Sequence, residues 1–247
     1  MMRWLLSNSK DRLLFTVRNP IYALRSLFRE ITFADERFLS KITGVSTQQI
    51  RLYLDEPIST APFVARLQEV ESVIRKLTLQ SADLYAKKVL VQYIAVRAFQ
   101  PETVVETGVA NGVSSAYLLL ALQKNGNGKL YSIELGDPIY LPQGKPPGWV
   151  VPDWLKESWA LLIGDSRELL PMLLQELGSI DVFIHDSLHT YDQMLWEYRT
   201  AFPFIRPGGL LLSDDAEWNP AFHQFSEEVK APQSTVLRGV GFLKKAP

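Results

Sequence analysis

Three carboxylates and a histidine in two short segments could together bind a metal ion and accept a proton. Asp186 and His189 lie in one segment, and Asp214 and Asp215 lie in the other. Each segment follows a short apolar run that predicts a strand. If the strands are parallel neighbours, about 4.8 Å apart, their carboxyl ends bring the three carboxylates together. Like charges this close raise one another's pKa unless a cation joins them, and a hard divalent ion such as Mg²⁺ suits oxygen ligands.

His189 is the candidate general base of this group. The helix predicted at 190–204 would place it near a helix N-terminus, where the positive end of the dipole favours the neutral imidazole that a base requires. His185 lies one residue from the end of the predicted strand. We interpret it as a packed or hydrogen-bonded histidine.

A second group of residues lies in a glycine-containing loop after the first predicted strand. Gly108 and Gly112 permit a tight turn and let the backbone approach a ligand closely. The middle glycine of the dinucleotide fingerprint is missing, which disfavours a pyrophosphate ligand. Glu106, two residues before the first glycine, suits a cationic, amino-acid-like group instead.

Two further strand ends carry polar residues. Glu134 ends the second predicted strand and could accept two hydrogen bonds from ribose hydroxyls. Asp165 and Ser166 follow the third strand, where a side chain can meet an adenine edge while one of them caps the next helix.

The alternation of elements that positions these residues begins at Pro101 and predicts an α/β fold. Apolar strands separated by helices indicate a mostly parallel sheet covered on both faces, closed by an antiparallel pair at the end of the chain. The predicted strands are 103–105, 130–133, 159–163, 180–184, 210–212, 234–237 and 241–243, and the predicted helices are 113–123, 166–177, 190–204 and about 219–229.

The first part of the chain follows a different pattern. Apolar positions up to residue 99 recur at helical spacing, with helix starts predicted after Ser46 and at Ser81. We therefore divide the chain into an N-terminal helical region, 1–99, and a sheet domain, 100–247. The basic, amphipathic segment 1–29 favours a packing, dimer-forming or substrate-covering role, with contact at a membrane surface as the alternative.

Composition excludes several classes of protein. Cysteine is absent, so disulfides, thiolate metal sites and cysteine nucleophiles are excluded. With 26 basic and 27 acidic side chains, the overall charge does not indicate a nucleic-acid binder. No apolar run approaches the ~20 residues needed to span a bilayer, so we expect a soluble protein in the cytoplasm.

A proline- and glycine-rich segment at 136–156 fits neither helix nor strand. A long irregular stretch inside a compact domain is often functional or mobile. We leave two interpretations open here, a lid and a plain surface insertion.

The ordered motifs at the first three strand ends resemble those of class I S-adenosylmethionine-dependent methyltransferases. The match covers about residues 101–247 and implies a Rossmann-like, doubly wound sheet. In that family the acid-glycine loop holds the methionine part of the cofactor, the second-strand acid holds the ribose, and the third-strand acid lies by the adenine. Carried over to this sequence, the cofactor-binding residues are Glu106, Gly108, Gly112, Ser114, Ser115, Glu134, Asp165, Ser166 and Asp186.

The acidic segments resemble the metal-dependent O-methyltransferase branch of that family. Its members include enzymes that methylate sugar hydroxyls of macrolides and, more distantly, catechol O-methyltransferase. The resemblance implies Asp186, Asp214 and Asp215 as metal ligands, His189 as base, and Asp186 as a second catalytic residue. It also implies a small hydroxyl substrate, sugar- or diol-like. A homo-oligomer is one possible assembly, because the segment 1–29 could form a dimer contact.

Three alternatives stay open at this point. The acids could be structural, with Asp186 or Ser187 capping a helix, Asp165 capping another, and Asp214-Asp215 forming a turn. The chain could methylate nitrogen, carbon or another oxygen without a metal. It could also be a non-catalytic Rossmann-like binding or scaffold protein.

Overall fold

A computed structural model describes residues 33–74 and 87–247 of the chain. The basic segment 1–29 and the helix start predicted at Ser81 lie outside these residues. Within these described ranges, four helices precede the sheet: α1 (Phe33–Thr43), α2 (Thr47–Ser59), α3 (Ala61–Ile74) and α4 (Lys87–Phe99). Ser46 caps α2 as predicted, because its side chain accepts a hydrogen bond from the Gln49 amide.

The remaining elements form a seven-stranded sheet flanked by helices. The strands are β1 (Thr103–Thr107), β2 (Lys129–Glu134), β3 (Trp159–Ile163), β4 (Ile180–His185), β5 (Ile205–Ser213), β6 (Gln233–Leu237) and β7 (Val240–Lys244). The helices are α5 (Val113–Asn125), α6 (Ser166–Leu177), α7 (Tyr191–Ala201) and α8 (Ala221–Glu228), with short 3-10 turns at Pro138–Tyr140, Asp153–Ser158 and Phe202–Phe204.

The strand order is β3-β2-β1-β4-β5-β7-β6. Strands β1 to β5 are parallel, and β7 runs antiparallel to β5 and β6. The predicted fold class is confirmed. The strand order reverses between β1 and β4, and an open sheet of this kind binds ligands at the carboxyl ends of the strands beside such a reversal.

The predicted elements differ from the observed ones mainly at their ends. Helix α6 has the predicted bounds, whereas the helix predicted at 190–204 begins at Tyr191 and finishes as a 3-10 turn. Strand β5 begins at Ile205, five residues before the predicted start. Its first half contains Pro207, Gly208 and Gly209, which are poor strand formers, and the ladder to β4 shifts register there.

Two hydrophobic cores cover the two faces of the sheet. On one face the N-terminal helices and α5 pack on the strands, and Phe63 meets Tyr117 edge to face with ring centroids 5.0 Å apart. On the other face α6, α7 and α8 bury Phe183, Tyr198 and Phe225. The N-terminal helices therefore share a core with the sheet. No helix among the described residues combines the length and the apolar composition that a membrane crossing requires.

The second half of the proline-rich segment is part of the core. The Gly148 amide donates to the Ala110 carbonyl at 2.8 Å, and the Trp149 indole donates to the Asn111 side chain at 2.8 Å. Trp149, Val150, Val151 and Leu155 are buried. Residues 148–155 thus pack as a wall beside the glycine loop.

A charge cluster fixes the N-terminal helices to one another. The Arg97 guanidinium donates two hydrogen bonds to the Glu56 carboxylate, at 2.6 and 2.7 Å, and stacks over the Tyr53 ring. The Tyr93 hydroxyl donates to the same carboxylate. Two bonds in fork geometry to a largely buried acid are stronger than an ordinary surface ion pair.

The change Glu56→Ala tests this cluster. It leaves the Arg97 and Tyr93 donors without an acceptor, so we expect the free energy of unfolding to fall by about 1.5–3 kcal/mol. Urea unfolding at pH 7 measures the change. Glu157→Ala, at an exposed glutamate, serves as the control and is expected to have little effect. Equal stability of the two variants would contradict the assignment.

Candidate active site at the β4 and β5 strand ends

The register of β4 and β5 brings two acids side by side. His185 pairs with Ser213 at the ends of the two strands, so the next residues, Asp186 and Asp214, leave the sheet together. The Asp214 amide donates to the His185 carbonyl at 2.8 Å, which extends the ladder by one bond. Adjacent parallel strands thereby place two carboxylates at one edge.

Asp186, His189 and Asp214 form a compact group. One potential ligand atom from each lies within 4.8 Å of the others. His189 Nε2 is 3.8 Å from Asp186 Oδ1, and His189 Nδ1 is 3.8 Å from Asp215 Oδ2. Asp215 therefore reaches His189 but lies outside the compact group. Its backbone has φ of +47°, a left-handed conformation that aspartate tolerates better than most residues.

The donor atoms of this group suit a divalent cation. Within residues 33–74 and 87–247, Asp214 Oδ1 and His189 Nε2 are buried and have no hydrogen-bond partner. Burial, followed by the neighbouring Asp214 carboxylate, raises the pKa of Asp186 well above its ordinary value. Two carboxylates and an imidazole are ligands that hard or borderline divalent ions accept.

Lys88 is a site residue that the sequence did not indicate. It is the second residue of α4, and its Nζ donates to Asp214 Oδ2 and lies 3.7 Å from Asp215 Oδ1. Burial lowers the pKa of the Lys88 amine, but the charges of the carboxylates, Asp214 first, outweigh burial and raise it. The ammonium therefore partly neutralises the acidic group.

Burial favours the neutral imidazole at His189, in addition to the predicted effect of the helix N-terminus. Thr190 is the N-cap of α7, so His189 lies immediately before the helix, beside its N-terminus, as predicted. Burial, and then the charge of His185, lowers the pKa of His189. Burial therefore favours the neutral imidazole, the same protonation state that the sequence predicted for His189.

Glu197, on α7, connects the ends of β1 and β4 through hydrogen bonds to its buried carboxylate. Its carboxylate lies 2.6 Å from His185 Nδ1, and both side chains are fully buried, which confirms that His185 is a hydrogen-bonded core histidine. Further donors to Glu197 come from β1, from α6, from the β4 loop and from α7 itself: Thr107, Ser166, Ser187 and Gln193. Burial alone would raise the pKa of Glu197, but the bonds from His185 and its other partners lower it to about 2.

The backbone conformation and packing of the loop require glycine at position 108, independently of any bound ligand. Gly108 has φ of +86°, and a Cβ there would lie 2.0 Å from the Asp186 carbonyl oxygen. Gly112 has φ of +83°, and its Cβ would lie 2.6 Å from the Gly148 Cα. Gly108 thus lets the loop pack directly against the residue that enters the acidic group.

The two glutamates beside the loop have different surroundings. Glu106 is fully buried, and its Oε1 accepts hydrogen bonds from Ser115 and Ser132, while Oε2 has no partner within the described part of the chain. Burial raises the pKa of Glu106 to about 7, despite those two hydrogen bonds. Glu134 accepts from the Val109 and Ala110 amides at 2.7 Å and so holds the loop in place.

The third strand end has the local structure of a helix cap. Asp165 is exposed and accepts from the Arg167 amide at 2.8 Å, which makes it the N-cap of α6. Ser166 donates to Glu197, and Ser114 lies buried in the first turn of α5. The cap that was left open as an alternative is present, and it leaves Asp165 at the sheet edge.

Comparisons with known proteins agree with this fold. Residues 105–216 match the family model described as a methyltransferase domain. The O-methyltransferase TomG from Streptomyces achromogenes, crystallised with SAM, is similar at 19% identity and TM-score 0.55, with 73% of this chain and 90% of that chain covered.

Two further structures are similar. A putative O-methyltransferase from Klebsiella pneumoniae matches at 20% identity and TM-score 0.53, covering 73% and 90% of the two chains. An SAH-bound methyltransferase from Podospora anserina matches at 14% identity and TM-score 0.53, covering 74% and 88%. At these identities the likeness establishes the fold. No curated protein matches the sequence significantly.

The change Glu197→Gln tests the buried connection. The ordinary glutamate pKa of 4.5 is lowered to about 2, so ionised Glu197 stabilises the fold near pH 7, and this stabilisation is lost as pH falls through that interval. We expect the free energy of unfolding of the variant to be lower at pH 7 by about 3 kcal/mol. It should also fall less steeply than that of the native protein as pH decreases. Urea unfolding from pH 7 to pH 3 measures both quantities.

The control for this experiment is Glu168→Gln, at an exposed position in the first turn of α6. It should keep the pH dependence of the native protein. An unchanged acid slope in the Glu197 variant would show that the carboxylate is not held ionised.

Proposed function

We propose that the chain moves a methyl group from S-adenosylmethionine to a hydroxyl of a small, sugar- or diol-like molecule. The proposal starts from the match of residues 105–216 to a methyltransferase domain. One observation carries the proposal. The glycine loop and the acidic group adjoin, since Gly108 packs against the backbone of Asp186. A donor seated at the loop would therefore lie beside an acceptor held at the acids.

The proposed cofactor seat follows the sequence motifs. Glu106 Oε2 is a buried acceptor with no partner among the described residues, and it suits the cationic amino group of the cofactor. Glu134 keeps capacity for ribose hydroxyls, because each carboxylate oxygen can accept more than one bond. The full proposed set is Glu106, Gly108, Gly112, Ser114, Ser115, Glu134, Asp165, Ser166 and Asp186.

The proposed metal ligands are Asp186, Asp214 and Asp215. A divalent cation, when bound, lowers the pKa of a hydroxyl that coordinates it and orients that hydroxyl. Asp186 and Asp214 already lie within reach of one ion, with His189 beside them. Asp214 Oδ1 is buried and has no partner within the described residues, and this is the observation that supports a cation site here.

His189 would take the proton of the acceptor hydroxyl. Its Nε2 is buried and unpartnered within the described residues, and burial favours the neutral form. The oxygen would then attack the methyl carbon of bound S-adenosylmethionine, the carbon–sulfur bond would break, and its electron pair would stay on sulfur. The protein mainly aligns the two reactants and excludes water. The SAM-bound O-methyltransferase TomG and the putative O-methyltransferase from Klebsiella pneumoniae agree with oxygen as the acceptor atom.

A metal-independent methyltransferase is the second candidate. The Lys88 ammonium favours it, because a resident cation already compensates part of the charge of Asp214 and Asp215. In that case the acids would be structural and His189 would act alone. The response to a chelator separates the two candidates.

The reaction is tested with His189→Ala and with EDTA. The protein is incubated with S-adenosylmethionine, Mg²⁺ and a panel of vicinal diols and sugars, and methylated product is quantified by mass spectrometry. Loss of a general base should slow the reaction by about 10²–10⁴-fold. His223→Ala, at an exposed histidine, is the matched control and should be fully active. Full activity of the His189 variant, also in EDTA, would contradict the mechanism.

The cofactor seat is tested with Glu106→Gln. The change removes the charge that would face the cofactor's amino group, so we expect binding of S-adenosylmethionine to weaken by about 1.5–3 kcal/mol. Isothermal titration calorimetry measures the dissociation constant. Glu102→Gln, at an exposed glutamate before β1, is the control. Unchanged affinity in the Glu106 variant would place the amino group elsewhere.

A further inference from the structure

The N-terminal helical region places a cation inside the acidic group. Lys88 Nζ donates to Asp214 Oδ2, although the two residues are 126 positions apart in sequence. It also lies 3.7 Å from Asp215 Oδ1. Lys88 Nζ thus lies beside one oxygen of each of the two adjacent acids that follow β5.

Asp214 needs such a partner in the protein without a metal. Its side chain is 1% exposed, and a buried carboxylate without a counter-charge is strongly destabilising. The second oxygen, Oδ1, has no partner within the described residues. The ammonium therefore supplies only part of the compensation that a divalent ion would supply.

The ammonium bonds to one oxygen of Asp214 and lies close to one oxygen of Asp215, the two acids that would share an ion. An ion held by both Asp214 and Asp215 requires an oxygen of each, and Mg²⁺ binds oxygen at about 2.1 Å. A divalent ion at that position would stand beside the ammonium, and two cations this close repel each other. Lys88 also bonds to Asp214 from the side of Asp215, the acid that lies outside the compact group.

Resting on the metal site of the proposed function, we infer that Lys88 is an internal cation that competes with the divalent ion for Asp214 and Asp215. The metal binds these acids when the Lys88 side chain leaves them. That side chain is 31% exposed, so it can turn to solvent without opening a core. Because Lys88 is the second residue of α4, metal binding is coupled to the start of this helix.

The opposite role, in which Lys88 orients Asp214 for the metal, predicts a change of opposite sign. Loss of an orienting partner weakens metal binding, whereas loss of a competing cation strengthens it. The affinity of a Lys88 variant for the metal therefore separates the two roles, and it does so without reference to methyl transfer.

The experiment is calorimetric titration of the full chain with Mn²⁺ alone. We expect Lys88→Met to bind Mn²⁺ more tightly than the native protein, by a factor of about 5–150, the usual range for coupled binding. Lys88→Arg keeps the charge and should not gain affinity. Lys156→Met is the matched control, because Lys156 pairs with Asp153 on a remote 3-10 turn. Mn²⁺ should also raise the melting temperature of Lys88→Met more than that of the native protein.

Equal or weaker Mn²⁺ binding by a folded Lys88→Met protein, verified by circular dichroism, overturns the inference. If that variant does not fold, Lys88→Gln takes its place under the same criterion. If neither the native protein nor any variant binds Mn²⁺, competition is also overturned. Methyl transfer in EDTA then decides separately whether the methyltransferase proposal survives.

Discussion

The structure depends on how the buried charge of Asp214 is compensated. Parallel pairing of β4 and β5 leaves this carboxylate 1% exposed beside Asp186, where two like charges repel each other. The Lys88 ammonium donates a hydrogen bond to Asp214 Oδ2, whereas Asp214 Oδ1 has no partner among the described residues. A cation is therefore a structural requirement at this edge, and the chemistry that we propose uses the same requirement.

Hydrogen bonds to the buried Glu197 carboxylate connect the strand ends that carry the site. Glu197 receives donors from β1, β4 and the start of α6, so one buried carboxylate connects three of the loops that surround the crevice. Gly108 adds direct backbone contact between the glycine loop and Asp186. Because each loop is fixed to the next, a cofactor and an acceptor bound there would have fixed relative positions.

The sequence predicted what local pattern controls. The alternation of apolar runs and helical segments predicted the parallel sheet, and the adjacency of two predicted strands placed Asp186 beside Asp214. It did not predict Lys88, because a lone lysine in a helical region carries no sign of a partner on a distant strand. The burial of the wall at 148–155 could not be predicted either, because its prolines and glycines mark irregular backbone but not whether that backbone is buried. The burial that lowers the pKa of His189 depends on tertiary packing, so the sequence could not indicate it.

The most direct test of the account is a crystal structure grown with Mn²⁺ and S-adenosylhomocysteine, examined by anomalous scattering. The account predicts one manganese peak about 2.1–2.3 Å from carboxylate oxygens of Asp186 and Asp214, with the homocysteine sulfur facing it across the glycine loop. It also predicts Lys88 Nζ beyond hydrogen-bond distance of Asp214. A structure with bound cofactor, no anomalous peak and Lys88 still on Asp214 would contradict it.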